Sequence, residues 1–78
     1  MFFTLTVQTA PESAMNSVRY ITKTRLPGVI RARIHHYNDT FGFEIDPEEW
    51  LSSSATCRSL QLPGGFPFIE LELSDENA

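Results

Sequence analysis

Hydrophobic and polar residues alternate strictly at the start of the chain, with Phe3, Leu5 and Val7 on one side and Thr4, Thr6 and Gln8 on the other. A period of two in residues that favour extended backbone predicts a half-buried strand. Thr9 then precedes Ala10-Pro11-Glu12. A capping hydroxyl, an early proline and an early acid suit a helix N-terminus. Ala14, Val18 and Ile21 follow at spacings of three and four, with Arg19 and Lys23 on the opposite side. This predicts a helix that stops before Pro27-Gly28. From Val29 to Tyr37 the pattern reads as a second strand, Ile30, Ala32 and Ile34 facing one way and Arg31, Arg33, His35 and Tyr37 the other. Thr40 to Asp46 alternates again, with Phe41, Phe43 and Ile45 on one side. Asn38-Asp39 between them suits a two-residue hairpin turn. That turn sets Ile34 opposite Phe43, Ala32 opposite Ile45, Arg33 opposite Glu44 and Arg31 opposite Asp46, matching apolar and charged faces in one register.

Asp46-Pro47-Glu48-Glu49 signals a second helix, with Asp46 as cap and Pro47 in the first turn. Ile45 and Trp50 stand where a hydrophobic staple would pack the helix onto the sheet. Its extent is open, because Ser52-Ser53-Ser54 suit a helix interior poorly and Leu60 and Leu62 fit either a helix end or an extra strand at 55–62. Pro63-Gly64-Gly65-Phe66-Pro67 predicts a tight loop, and Phe68 to Leu73 a last strand with Glu70 and Glu72 outward. The expected fold class is α+β, a ferredoxin-like βαββαβ plait with a four-stranded antiparallel sheet and two helices on one face. Residues 1–73 form one domain and residues 74–78 an acidic disordered tail.

Thr40-Phe41-Gly42-Phe43-Glu44-Ile45 resembles the third-strand motif of RNA-recognition motif domains, and Gly64 to Leu71 resembles the entry to their last strand. The resemblance implies a plait in which Phe41 and Phe43 lie on the open sheet face and stack RNA bases. Charge placement opposes that assignment. With both phenylalanines outward, Glu44, Asp46, Arg31 and Arg33 would all turn beneath the helices, at a cost of several kcal/mol each. Phe41 and Phe43 are therefore expected in the core.

The charge of the chain is −4, unevenly spread. Residues 13–38 carry Arg19, Lys23, Arg25, Arg31 and Arg33 and no acid, whereas residues 39–78 carry nine acids against Arg58 alone. Either the halves pair with each other, or they leave a dipolar surface that steers a charged partner. The overall positive field wanted for nonspecific nucleic-acid binding is missing. A lone cysteine, Cys57, and an opening without a signal-peptide pattern suit a cytoplasmic protein, and no apolar run approaches a membrane span. His35 and His36 would point to opposite faces of a strand, so no metal set is expected, nor any cofactor. Gly64-Gly65 lacks the lysine and length of a phosphate loop.

The sequence thus points to a non-enzymatic interaction protein that binds a protein partner and modulates or inhibits it by covering its surface. It resembles, in size and character only, small inhibitors of phages and mobile elements such as anti-CRISPR proteins. Its expected partner-binding residues are Arg31, Arg33, His35 and Tyr37 on one strand face, with Phe66 as an anchor held by two prolines. The alternative is an RNA- or single-strand-nucleic-acid-associated plait using Arg31, Arg33 and Tyr37.

Overall fold

The computed structural model describes residues 2–52 and 55–74. The alternating segment at the start forms β1, Phe2–Gln8, with Phe3, Leu5 and Val7 buried. It is a central strand. On one side it pairs antiparallel with β2, Arg19–Thr24, and on the other with β4, Phe68–Ser74. The short β3, Cys57–Gln61, closes the far side of β4, giving a sheet in the order β2-β1-β4-β3. Leu5 stands opposite Leu71 and Val7 opposite Ile69, so the inner faces of β1 and β4 make one apolar floor.

Over that floor lies α1, Pro27–Phe41, followed by α2, Pro47–Ser52. Ile30, Ile34 and Tyr37 are buried at intervals of four and three, the spacing that keeps side chains on one helix face. The expected strand over 29–37 is therefore a helix. Ile30 and Ile34 alone satisfy both periods, and Ala32 between them is exposed. Tyr37 decides the matter, since a strand would turn it away from Ile34, and it is only 6 % exposed. Pro27 sits in the first turn after an extended Leu26, so Pro27-Gly28 opens a helix rather than ending one. Gly42, at φ 81°, ends it in the left-handed conformation while its N–H donates to the Asn38 carbonyl.

The helix expected over residues 10–26 is also absent, and β2 occupies its second half. Tyr20, Ile21, Thr22 and Thr24 suit extended backbone, and pairing with β1 settles them there. Thr9 caps no helix. Its N–H donates to the Val18 carbonyl at 3.0 Å and its hydroxyl accepts the Val18 N–H at 3.0 Å, closing the mouth of the β1–β2 connection.

No hairpin forms at Asn38-Asp39, because both residues lie within α1. Residues 42–46 instead run as an irregular segment, clamped by the Asn38 side chain. Its amide donates to the Ile45 carbonyl at 2.9 Å and its oxygen accepts the Ile45 N–H at 3.2 Å. Phe43, 3 % exposed, and Ile45 are buried as expected, though from this segment rather than from a strand. The register that set Arg33 against Glu44 and Arg31 against Asp46 does not exist. Arg31 pairs with Glu48 at the start of α2.

The second helix begins as the sequence predicts, with Asp46 Oδ1 accepting the Glu48 N–H at 3.0 Å and Trp50 buried beneath it. It ends at Ser52, and the alternative of an extra strand near 55–62 is realised as β3. Glu49 does not reach back to close a capping box; it accepts Arg58 Nη2 of β3 at 2.9 Å. The last strand runs to Ser74, one residue past the expected boundary, and residues 75–78 of the expected tail lie outside the described residues.

The α+β class, the four-stranded antiparallel sheet and the number of helices are as expected, and strand order and helix count fit a ferredoxin-like plait. Along the chain, however, the elements run ββααββ rather than βαββαβ. One consequence matters for any site. The two sheet edges are β2 and β3, and the helices lie between them in sequence.

Candidate functional site

Four residues were expected to share one strand face, and the helix separates them. On α1, Arg31 and His35 are four apart and share one side, while Arg33 and Tyr37 share another. Arg31 is engaged with Glu48, whose hydrogen bond and negative charge hold the guanidinium above its ordinary range. His35 is exposed, and Tyr37 is core. Phe66 is half-buried in the loop before β4, where its neighbours Gln8, Gln61 and Phe68 belong to the uncovered sheet face. It is thus on the side of the sheet away from α1.

Arg33 and Tyr37 are nevertheless brought into one place. With Tyr20 of β2 and His36, Thr40 and Phe41 of α1 they line a cleft of about 190 Å³ between the edge strand and the helix. Its base is aromatic. Tyr20 lies 6.3 Å from Tyr37 and 6.4 Å from Phe41, centroid to centroid, and Tyr37 and Phe41 are 5.9 Å apart. Such separations let the rings pack against one another while their outer edges meet solvent.

The neighbouring surface is apolar as well. Among the described residues the large hydrophobic side chains left exposed are Met15, Val18, Tyr20, Ile21, Leu26 and Leu60. Val18, Tyr20, Ile21 and Leu26 belong to β2 or its immediate flanks, Met15 to the connection from β1, and Ile21 is 54 % exposed. A single exposed hydrophobe needs no explanation, but β2 exposes one on each face, Tyr20 toward the helices and Ile21 on the open face, with Val18 and Leu26 just beyond its ends.

The backbone of β2 adds hydrogen-bonding capacity to those apolar side chains. In an antiparallel ladder, residues alternately turn both their N–H and C=O toward one neighbouring strand and then the other. Since Val18 accepts from Thr9, Tyr20, Thr22 and Thr24 turn toward β1, and the N–H and C=O of Arg19, Ile21 and Lys23 turn outward. Among the described residues no strand pairs with them.

Charge follows the same division of the molecule. Around β2 stand Arg19, Lys23, Arg25, Arg33 and His36, with Glu12 the acid bonded to Arg19. Arg25 lies over the Phe2 ring at 5.0 Å. Glu48 and Glu49 of α2 lie on the other half, whereas Glu70 of β4 shares an open-face groove with Arg19 and Ile21. The two halves pair across the fold at Arg31–Glu48, and the remaining basic side stays beside β2. Among the described residues no three histidine, cysteine or acidic side chains converge to hold a metal ion.

Tyr20, Ile21 and His36 were not singled out by the sequence reading. The signal that marks the first two is the run Tyr20-Ile21-Thr22, an aromatic beside two β-branched residues, which favours a strand over the helix expected there. His36 carries no such signal, since its position depends on α1 meeting β2.

Comparison with family models, curated proteins and solved structures returns no match to this chain, so its function rests on its own geometry.

Proposed function

We propose that this is a non-enzymatic interaction domain that binds a protein partner and modulates or inhibits it by covering its surface. The observation that carries the reading is the β2 edge, where outward backbone groups, exposed hydrophobes and an aromatic cleft coincide. A catalytic reading gains less support. General acids, bases and nucleophiles are tuned by withdrawing titratable groups from water. Among the described residues no charged residue is buried, and the buried Tyr37 packs among aromatic rings. The Cys57 thiol is pushed above its ordinary range by desolvation and then by Glu70 and Glu72, which works against a reactive thiolate. A lone cysteine suits a reducing compartment such as the cytoplasm. The likeness in size and character to inhibitors encoded by phages and mobile elements remains an analogy.

A nucleic-acid reading needs stacking aromatics clear of acidic side chains, and Phe66 and Phe68 on the open sheet face have Glu70 two residues along β4. Phe41 and Phe43, which the resemblance to RNA-recognition motifs would supply, pack on the helix side instead. Glu70 and Glu72 occupy the open face of β4 and would repel phosphate.

Affinity capture from a nuclease-treated lysate tests the proposal. A protein partner should be retained by the wild type and by Ser59→Asp on β3, and lost with Ile21→Asp on β2. Both positions are exposed, so both variants should fold, each losing about 1 kcal/mol, Ser59→Asp because it faces Glu70 and Ile21→Asp because aspartate suits a strand poorly. Bound material that disappears with nuclease, or retention that ignores Ile21→Asp, would remove the basis for this reading.

A further inference from the structure

We infer that β2 receives an extended acidic segment of the partner as a fifth strand, with one apolar or aromatic side chain of that segment seated in the cleft between β2 and α1. The inference rests on the interaction reading above and specifies its ligand.

The backbone supplies the first part of the case. Arg19, Ile21 and Lys23 direct donors and acceptors away from β1, and strand addition is the mode of recognition that uses such a row. An added strand alternates its side chains across the sheet. Those on the open face fall beside Arg19, Ile21 and Lys23, whereas those on the other face fall beside Tyr20, Thr22 and Thr24. Tyr20 is itself a wall of the cleft that Tyr37 and Phe41 floor. A residue opposite Tyr20 therefore has an aromatic pocket to enter, with Arg33 and His36 at its rim.

Charge chooses the occupant. Acids opposite Arg19 and Lys23, four positions apart in the incoming strand, lie on the outer side of β2, where both cations stand between them and Glu70 across the open-face groove, although one of them shares Arg19 with Glu12. A second copy of this chain is disfavoured by the same residues. Antiparallel pairing of β2 with its own twin about a two-fold axis brings Arg19 and Lys23 of both copies onto one face of a short seam, where like charges destabilise. Pairing of β2 with β3 of another copy leaves each chain with a further free edge and strings copies into filaments rather than a closed pair.

The test uses the whole chain against a displayed library of random extended heptapeptides. Enrichment of peptides with two acids four positions apart and an aromatic beside one of them is expected on the wild type. Ile21→Pro should abolish it, since proline removes an outward N–H without touching the β1–β2 ladder. Lys23→Glu provides a second variant that keeps the backbone intact, and it should weaken the best acidic peptide at least tenfold. In hydrogen exchange, that peptide should slow the amides of Arg19, Ile21 and Lys23 and leave Ser59 and Gln61 of β3 unchanged. Enrichment of basic peptides, no enrichment, protection on β3 instead of β2, or filaments formed without peptide would each overturn the inference. Its failure is distinguishable from failure of the broader reading. A lysate protein that is lost with Ile21→Asp but not displaced by the acidic peptide sinks this inference alone, whereas nuclease-sensitive capture sinks both.

Discussion

The two edges of the sheet face the same problem and are built differently. An edge strand exposes unpaired backbone groups and invites another strand, and proteins usually guard it with short length, polar side chains or cover. β3 follows that practice. It has five residues, turns Cys57, Ser59 and Gln61 outward, and is tied to α2 by Arg58 on Glu49. β2 does not. It carries Tyr20 and Ile21 exposed, is flanked by Val18 and Leu26, and borders an aromatic cleft instead of a covering helix. Arg19 and Lys23 are its main protection, and their charge guards against a second basic edge but not against an acidic strand. The difference teaches that an edge can be protected selectively, by the sign of its charge rather than by its polarity.

The largest effect should come from the strand both edges depend on. Leu5 is fully buried on β1, between β2 and β4, and Leu5→Ala should cost about 2–5 kcal/mol. That is a large share of the stability of so small a domain. Thermal melts followed by circular dichroism should show one transition at a much lower midpoint, with both edges lost together. Two separate transitions would mean that the edges belong to independent halves.

A smaller loss should follow Asn38→Ala, which takes away both hydrogen bonds to Ile45 and leaves part-buried backbone without them. Urea titration should register about 1–3 kcal/mol. Because residues 42–46 lead into α2, and α2 holds Arg58, hydrogen exchange should quicken at β3 more than at β2. Equal quickening at both edges would show that α2 does not discriminate between them.

The mildest effect concerns Cys57 on the guarded edge. Its raised pKa leaves less thiolate at a given pH than an ordinary cysteine has, so alkylation should be slower and its rate should climb only at higher pH. Glu72→Gln removes one of the responsible charges and should shift that profile to lower pH. An unshifted profile would assign the effect to desolvation and Glu70.

Legibility in the sequence divides along the same line as the edges. β1, β4, the start of α2 at Asp46-Pro47 and the loop at 63–67 were readable, because each depends on local rules. These are a strict period of two, a capping carboxylate followed by proline, and glycines at Gly64 and Gly65 that take positive φ. The burial of Phe43, Ile45 and Trp50 was also readable, since large apolar residues find the core from a strand or from an irregular segment alike. Residues 10–41 were not, because their local signals fit two structures. Thr9-Ala10-Pro11 reads as a helix start and serves a strand connection, and Ile30 with Ile34 satisfies helix and strand periods equally.

What resolved that ambiguity was partnership at long range. β1 offered a free side to which Tyr20–Thr24 could pair, and the apolar floor of β1 and β4 accepted Ile30, Ile34 and Tyr37 only from a helix. The site inherited the same dependence. By itself the sequence grouped Arg33 and Tyr37 with Arg31 and His35 on one face of one element. Only the tertiary structure parted them from Arg31, His35 and Phe66 and joined them to Tyr20 and His36. The physical reason is that a residue's own neighbours in sequence fix its backbone preference, whereas the surface it helps to form depends on which distant strand and helix finally meet.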